Sequence, residues 1–262
     1  MKKPLRTLFY GMSHEHAPGK IASLRKLTDD FEVVAIADYG GSTTHYKSFF
    51  SDAGAKVGTF IAPDMVRVGR YAFYGTDVKS VRISFAATSI GYRAFYENRG
   101  LANFAPTELP NLETLGDGAF VNCGTTGSPR SHDFVFAKLG TLSSDVFRSA
   151  YLLHGISATN VSSVGASAFS AAERLVSVEL GAVTAVGASA FSGIAGGAVI
   201  RFTQPCLPEF GDGAVSSKDA NNRVRVFAFG AETSEGWKAA IAPNAAQFET
   251  DKSRADYPGE FK

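Results

Sequence analysis

The heptad Val-Gly-Ala-Ser-Ala-Phe-Ser occurs at residues 164–170 and again at residues 186–192, so the chain must build one local structure at least twice. Aligned on it, five stretches share the template apolar-Gly-x-x-Ala-Phe: Val68-Gly69 to Ala72-Phe73, Ile90-Gly91 to Ala94-Phe95, Leu115-Gly116 to Ala119-Phe120, Val164-Gly165 to Ala168-Phe169 and Val186-Gly187 to Ala190-Phe191. Two degenerate copies fill the gaps, Leu142-Ser143 to Val146-Phe147 and Phe210-Gly211 to Ala214-Val215. The slot residue therefore falls at 73, 95, 120, 147, 169, 191 and 215, in steps of 22, 25, 27, 22, 22 and 24. A weaker copy around Phe49, one step of 24 earlier, opens the series. With 21 Phe against one Trp, the composition fits one structural slot filled repeatedly.

Between the slots runs a second motif, clearest as Val78-x-x-Val81-x-Ile83 and Leu175-x-x-Val178-x-Leu180, with Leu101-x-x-Phe104 and Val199-x-x-Phe202 as looser forms. At this period, L-x-x-L-x-L is the strand signature of a leucine-rich repeat. A single coil of this size cannot bury its apolar side alone, so coils stack and equivalent positions become ladders along the axis. A Phe at each step predicts a continuous aromatic spine, and the Ala before it leaves room in a narrow cross-section. The Gly after the apolar residue suits a tight corner, and a positive φ is expected there.

These residues resemble the BspA-type leucine-rich repeat, whose pattern is similar to I-G-x-x-A-F-x-x-C-x-x-L-x-x-V-x-L-P, over residues 65–243. The resemblance implies a β-rich repeat solenoid, a right-handed superhelix of about seven coils of 22–27 residues. It also implies a non-catalytic, surface-exposed or secreted adhesion protein. Cys123, three residues after Phe120, stands at the family's Cys slot and reads as a small core residue. The insertion Thr125–Phe136, with Gly127, Ser128 and Pro129, reads as a surface loop. Val146-Phe147 departs from the Ala-Phe pair, and no signal peptide is visible, because the basic start breaks at Gly11 and His14.

Arg223–Phe229 alternates as a strand, and Thr233 or Ser234 is placed to N-cap a short helix through Ile241 that carries Trp237. This stretch resembles the family's terminal cap; residues 244–262 are polar and aperiodic and read as a flexible tail.

Residues 5–38 follow another plan of strand, turn, helix and strand, ending at Asp38. "YGMSHEHAPGK…VVAIAD" resembles the N-terminus of the Gfo/Idh/MocA oxidoreductases. On that resemblance Gly11 is the first turn glycine and Asp38, 27 residues on, the ribose-binding acid, while Ser13 and His16 stand at the later two glycine positions. No further βαβ unit follows. Residues 1–40 are therefore expected to bind no nucleotide and to form an N-terminal cap on a solenoid spanning 41–243. The alternative is a remnant or fusion of an NAD(P)-dependent oxidoreductase, or a chimera with no evolved activity. His14-Glu15-His16 places two imidazoles on one face if it is a strand, and is read as a solvated turn rather than a metal site. His45, His132 and His154 are scattered, so no catalytic residue, metal or cofactor is assigned.

Lys plus Arg number 26 against 25 Asp plus Glu, so no global field draws the chain to nucleic acid or an anionic membrane. No apolar run approaches 18 residues, the length of a spanning helix. The two cysteines, Cys123 and Cys206, support neither a disulfide framework nor a four-ligand zinc site. The expected partner is a protein or glycan met by a monomer through one face. Alternation about Val81 and Ile83 turns Lys79, Arg82 and Ser84 outward, and the images on later coils are Asn103, then Ser177 and Glu179, then Arg201 and Thr203. Arg82 and Arg201 are the expected anchors.

Overall fold

The computed structural model describes residues 58–229 apart from 64, 77, 127–129 and 204–206, the backbone of strands Leu5–Tyr10, Phe31–Ala37 and Ala246–Asp251, and positions 236 and 239. The repeats form a parallel β-solenoid of about seven turns. Each coil has three sides. One carries the longer strands: Thr59–Ile61, Ser80–Arg82 and Asn103–Ala105 form one sheet, and His132–Val135, Leu153–Ala158, Ser177–Leu180, Val199–Phe202, Val224–Phe229 and Ala246–Asp251 form a second, all parallel. A corner ladder of two-residue strands runs beside it, from Arg67–Val68 to Thr114–Leu115 and from Thr141–Leu142 to Glu209–Phe210. The third side is built of turns around the slot residue, save at Phe191–Ile194 and Val215–Ser217, which pair as short parallel strands.

Register places each coil's apolar residues over their images. Val81 pairs with Phe60 and Phe104, and Val178 with Ile156 and Ile200, all buried. The slot Phe rings form the expected spine. Phe73, Phe95, Phe120, Phe147, Phe169 and Phe191 stack in sequence with centroids 5.0–5.7 Å apart and planes within 17°. Phe60 closes the first end edge-on at 4.7 Å.

The turn side is hydrogen-bonded in one direction. Phe73 N–H donates to Ala94 C=O, and the peptide joining Ala94 to Phe95 hands on through Phe95 N–H to Ala119 C=O. The relay continues through Val146, Ala168 and Ala190 to Ala214. A second relay runs from Tyr71 N–H to Asp212 C=O and a third from Gly75 N–H to Ser192 C=O. To aim these peptides along the axis, residues two before and two after the slot take positive φ in most coils, among them Tyr71 (56°), Arg93 (49°), Ser167 (54°) and Ala171 (54°).

Positive φ thus falls on these flanking residues and not on the template glycine, which corrects the sequence expectation. Gly91, Gly116, Gly165, Gly187 and Gly211 are required by proximity. A Cβ on any of them would lie 2.4–2.7 Å from a backbone nitrogen of the preceding coil. The glycine lets coils close to stacking distance, as in other sites of close backbone approach.

Two segments without repeat signal also join the second sheet. The insertion was expected to be a surface loop, but His132–Val135 is a strand with Phe134 and Phe136 fully buried, and only Gly127–Pro129 lie outside the described residues. A coil lacking a strand there would leave Phe104 and Phe120 uncovered, and Phe134 packs on both, at 5.6 and 5.8 Å. The expected flexible tail is likewise corrected at Ala246–Asp251, which pairs over its whole length with Val224–Phe229. The predicted strand 223–229 is present; all but two positions of the predicted cap helix, including Trp237, lie outside the described residues.

The two sheets meet where Pro106 offers no backbone donor. A bridge between Glu108 and Val135 spans the gap, and His132 Nε2, buried, accepts the Phe104 N–H at 3.2 Å. An imidazole here takes a backbone bond that a regular ladder would supply. At the other end, Leu5–Tyr10 and Phe31–Ala37 pair in parallel, with Phe31–Ala37 lying against Thr59–Ile61.

Candidate partner-binding face

The strand side presents two outward columns. In one, Thr59, Ser80 and Asn103 are followed across the junction by Asp133, Gly155 and Ser177. In the other, Ile61, Arg82 and Ala105 are followed by Val135, Ser157, Glu179 and Arg201. Arg82 and Arg201 therefore occupy equivalent positions five coils apart, about 24 Å at about 4.8 Å per strand. The expected residues form two patches rather than one.

Lys79 and Arg82 are exposed, and Asn103 donates from Nδ2 to Ser80 Oγ at 3.1 Å. The Lys79 side chain lies over Gly100, where a Cβ would fall 2.0 Å from Nζ. Ser84 is a correction: it is buried, and its hydroxyl accepts the Ala86 N–H at 3.2 Å, which fixes a local turn. In the second patch Ser177, Arg201 and Thr203 are partly exposed, and Ser157 Oγ donates to Glu179 Oε2 at 2.9 Å.

Around Arg82 the surface is concave. A groove of about 650 Å³ is lined by Thr59, Ile61, Ser80, Arg82, Phe85 and Asn103 among others. Ile61 and Phe85 stand 40% and 56% exposed on it, which is unusual for side chains of this size. Among the described residues no carboxylate lies within ion-pair distance of Arg82. Reading apolar residues as inward missed Ile61 and Phe85. The signal for Phe85 was its place two residues past Ile83, where the coil carrying Leu180 has the small Ala182.

Other reactive groups are held in the core or on separate coils. Cys123 is fully buried as expected, its Sγ donating to Phe95 C=O at 3.0 Å, and burial pushes the thiol's pKa well up. His154 Nδ1 pairs with Asp133 at 2.9 Å on the surface. Gly11, Ser13, His14, His16, Asp38, His45 and Cys206 lie outside the described residues.

The outward columns, the Phe spine and the corner glycines repeat with the sequence motif, and the BspA type leucine rich repeat region matches residues 66–196 in six copies. The chain is a BspA-type leucine-rich repeat protein. The solenoid continues past the matched region, since Val215–Ser217 pairs with Phe191–Ile194 and Val224–Phe229 with Val199–Phe202. No curated protein and no solved structure matches the chain. Proteins with BspA-type repeats are interaction or adhesion scaffolds, typically surface or secreted proteins of bacteria. Among the described residues no helix is long and apolar enough to cross a membrane.

Proposed function

We propose that this BspA-type protein is a non-catalytic binding module, acting in adhesion or interaction at a cell surface, that takes a protein or glycan partner on its strand side. The observation that carries this reading is the groove at Arg82. A guanidinium with no carboxylate in ion-pair distance among the described residues stands beside two exposed apolar side chains, with Ser80 and Asn103 on the same wall. Arg bonds anions bidentately and stacks on rings, and aromatic and Arg side chains concentrate binding energy in interfaces. Lys79 borders this patch. Ser177, Glu179, Arg201 and Thr203 form a second one that only an extended partner reaches. Residues 1–40 serve in this reading as a cover for the first coil, supported by the contact of Phe31–Ala37 with Thr59–Ile61.

The test is a binding screen of immobilised protein against extracellular-matrix proteins and glycans, repeated with Arg82→Glu. A genuine partner should bind R82E at least tenfold more weakly, about 1.4 kcal/mol, at an unchanged melting temperature. Unchanged binding in R82E, with loss on shortening the insertion by residues 127–129, moves the site to the insertion. NADH fluorescence should show no saturable change; a saturable one revives the oxidoreductase alternative.

A further inference from the structure

The turn side of the first two coils carries side chains that the repeat does not require. In the outward columns flanking the slot, the coils of Phe169 and Phe191 hold Ala166, Ser167 and Ser170, then Ala188, Ser189 and Ser192. The same columns in the coils of Phe73 and Phe95 hold Arg70, Tyr71 and Tyr74, then Tyr92, Arg93 and Tyr96. Spine and backbone relays are the same at both places, so packing of the solenoid asks for none of these six large polar groups.

They are nevertheless organised. Tyr74 and Tyr96 stack at 4.9 Å with planes 1° apart, and Tyr71 meets Tyr92 edge-on at 5.2 Å. Arg70 and Arg93 lie over the Tyr92 ring at 5.3 and 5.0 Å, and Arg93 also over Tyr96 at 5.0 Å. Gly118 on the next coil makes the room: a Cβ there would meet Arg93 Cγ at 3.3 Å and Tyr96 at 3.7 Å. Ring contact fixes each guanidinium and leaves its N–H groups for a ligand. No carboxylate lies within ion-pair distance of Arg70 or Arg93 among the described residues. Residues 58–105 hold six Lys or Arg against three Asp or Glu, net +3. Burial, then the Tyr92 phenol through repulsion and a side-chain hydrogen bond, raises the pKa of Tyr71, so it stays protonated.

We propose that this Tyr/Arg cluster binds an acidic polysaccharide, one carrying carboxylate or sulfate groups on its sugar rings. The cluster is a surface of donors, guanidinium N–H and phenol O–H, which matches an acceptor-rich anion. The fully buried core of a protein interface is its more apolar part. The large exposed apolar residues among those described, Ile61, Val66, Phe85 and Leu207, are not members of the cluster. The site is separate from the groove at Arg82.

Titration calorimetry of the full chain at about 0.1 M salt tests it with polygalacturonate (carboxylates only), dextran sulfate (sulfates only), neutral dextran and poly-glutamate. Saturable binding is expected for at least one acidic polysaccharide, none for dextran, and at least tenfold weaker binding for poly-glutamate. Arg70→Ala with Arg93→Ser, and Tyr74→Ser with Tyr96→Ser, copy residues that later coils already carry. Each pair should lose at least tenfold in affinity without a change in circular dichroism, and more than R82E loses. Arg93→Lys keeps the charge without the planar fork and should lose at least threefold, which holds the test open if a double variant unfolds. Failure of both polysaccharides to saturate overturns the proposal. So does equal binding of poly-glutamate, which assigns the cluster to acidic protein segments, or loss in R82E alone, which moves the ligand to the strand side.

Discussion

At Gly165 a single hydrogen decides how closely two coils approach. Its Cβ would stand 2.5 Å from the Ser144 nitrogen, and backbone cannot step aside as a side chain can. Gly165→Ala should cost about 1–3 kcal/mol, on the scale of overpacking. Gly140→Ala is the control: nothing lies within 4 Å of its Cβ and its φ is not left-handed, so it should be neutral or stabilise by up to about 1 kcal/mol in urea unfolding. Phe169→Ala removes one ring from between two stacked neighbours and should cost about 3–5 kcal/mol. Asn98 is a different kind of core residue. Fully buried, it donates to Phe73 and Phe95 carbonyls at 2.5 and 2.8 Å and accepts from Thr76 Oγ1 at 2.8 Å. Asn98→Ala strands these groups and should cost about 1–3 kcal/mol or more in the same assay.

Among the elements, the junction of the two sheets is the place where pH should matter. His132 accepts the Phe104 N–H, and burial lowers its pKa below the ordinary 6.5; Arg130 also lowers it, while the Ala102 backbone and Asp133 act the other way. The unfolded chain therefore binds the proton more readily. The stability tied to this group is complete above pH 6.5 and is lost as pH falls from there toward the folded-state pKa. Urea midpoints measured between pH 7.5 and 5 should fall in the wild type and flatten in His132→Gln, which can still offer an acceptor. This strand was hard to read in the sequence. Phe134 and Phe136 alternate as a strand should, but Gly127, Ser128 and Pro129 just before them carry a loop signal, and the coil length of 27 placed them all in an insertion. Ala246–Asp251 was hidden for another reason: its pairing comes from an open sheet edge presented by Val224–Phe229, which no local pattern announces. Positions where one coil resembles the next, the slot Phe, the corner glycine and the inward Val and Ile, were legible because stacking forces equivalent chemistry. The candidate site was legible only in its polar members. Arg82 and Asn103 followed from alternation, whereas Ile61 and Phe85 are exposed against their chemistry, and Ser84 sits in a turn that ends the alternation.

For the whole molecule, the ends of the stack set the limits of stability, because every interior coil is covered by two neighbours and an end coil by one. Deleting residues 1–40 should lower the melting temperature or the solubility while leaving partner binding at Arg82 intact. The opposite pattern, full stability with lost binding, would make that segment part of the site. The relays on the turn side add an electrical property. Each peptide in them points its N–H toward the C-terminal coils and its C=O toward the first, three per coil across most of the stack, whereas dipoles in a strand ladder alternate and largely cancel. Head-to-tail peptide dipoles sum, as they do in an α-helix, and polarise one another. The turn side is thus a column of dipoles, negative toward the first coil and positive toward the last, and the corner bonds, such as Gly91 N–H to Val68 C=O and Gly187 N–H to Val164 C=O, run the other way and offset it. Formal charge is uneven along the stack, with net +3 over residues 58–105 and, from five basic against nine acidic side chains, net −4 over residues 106–217, so long-range steering comes from the side chains. A polyanion approaching in solution is accordingly turned so that it meets the arginine-bearing coils first.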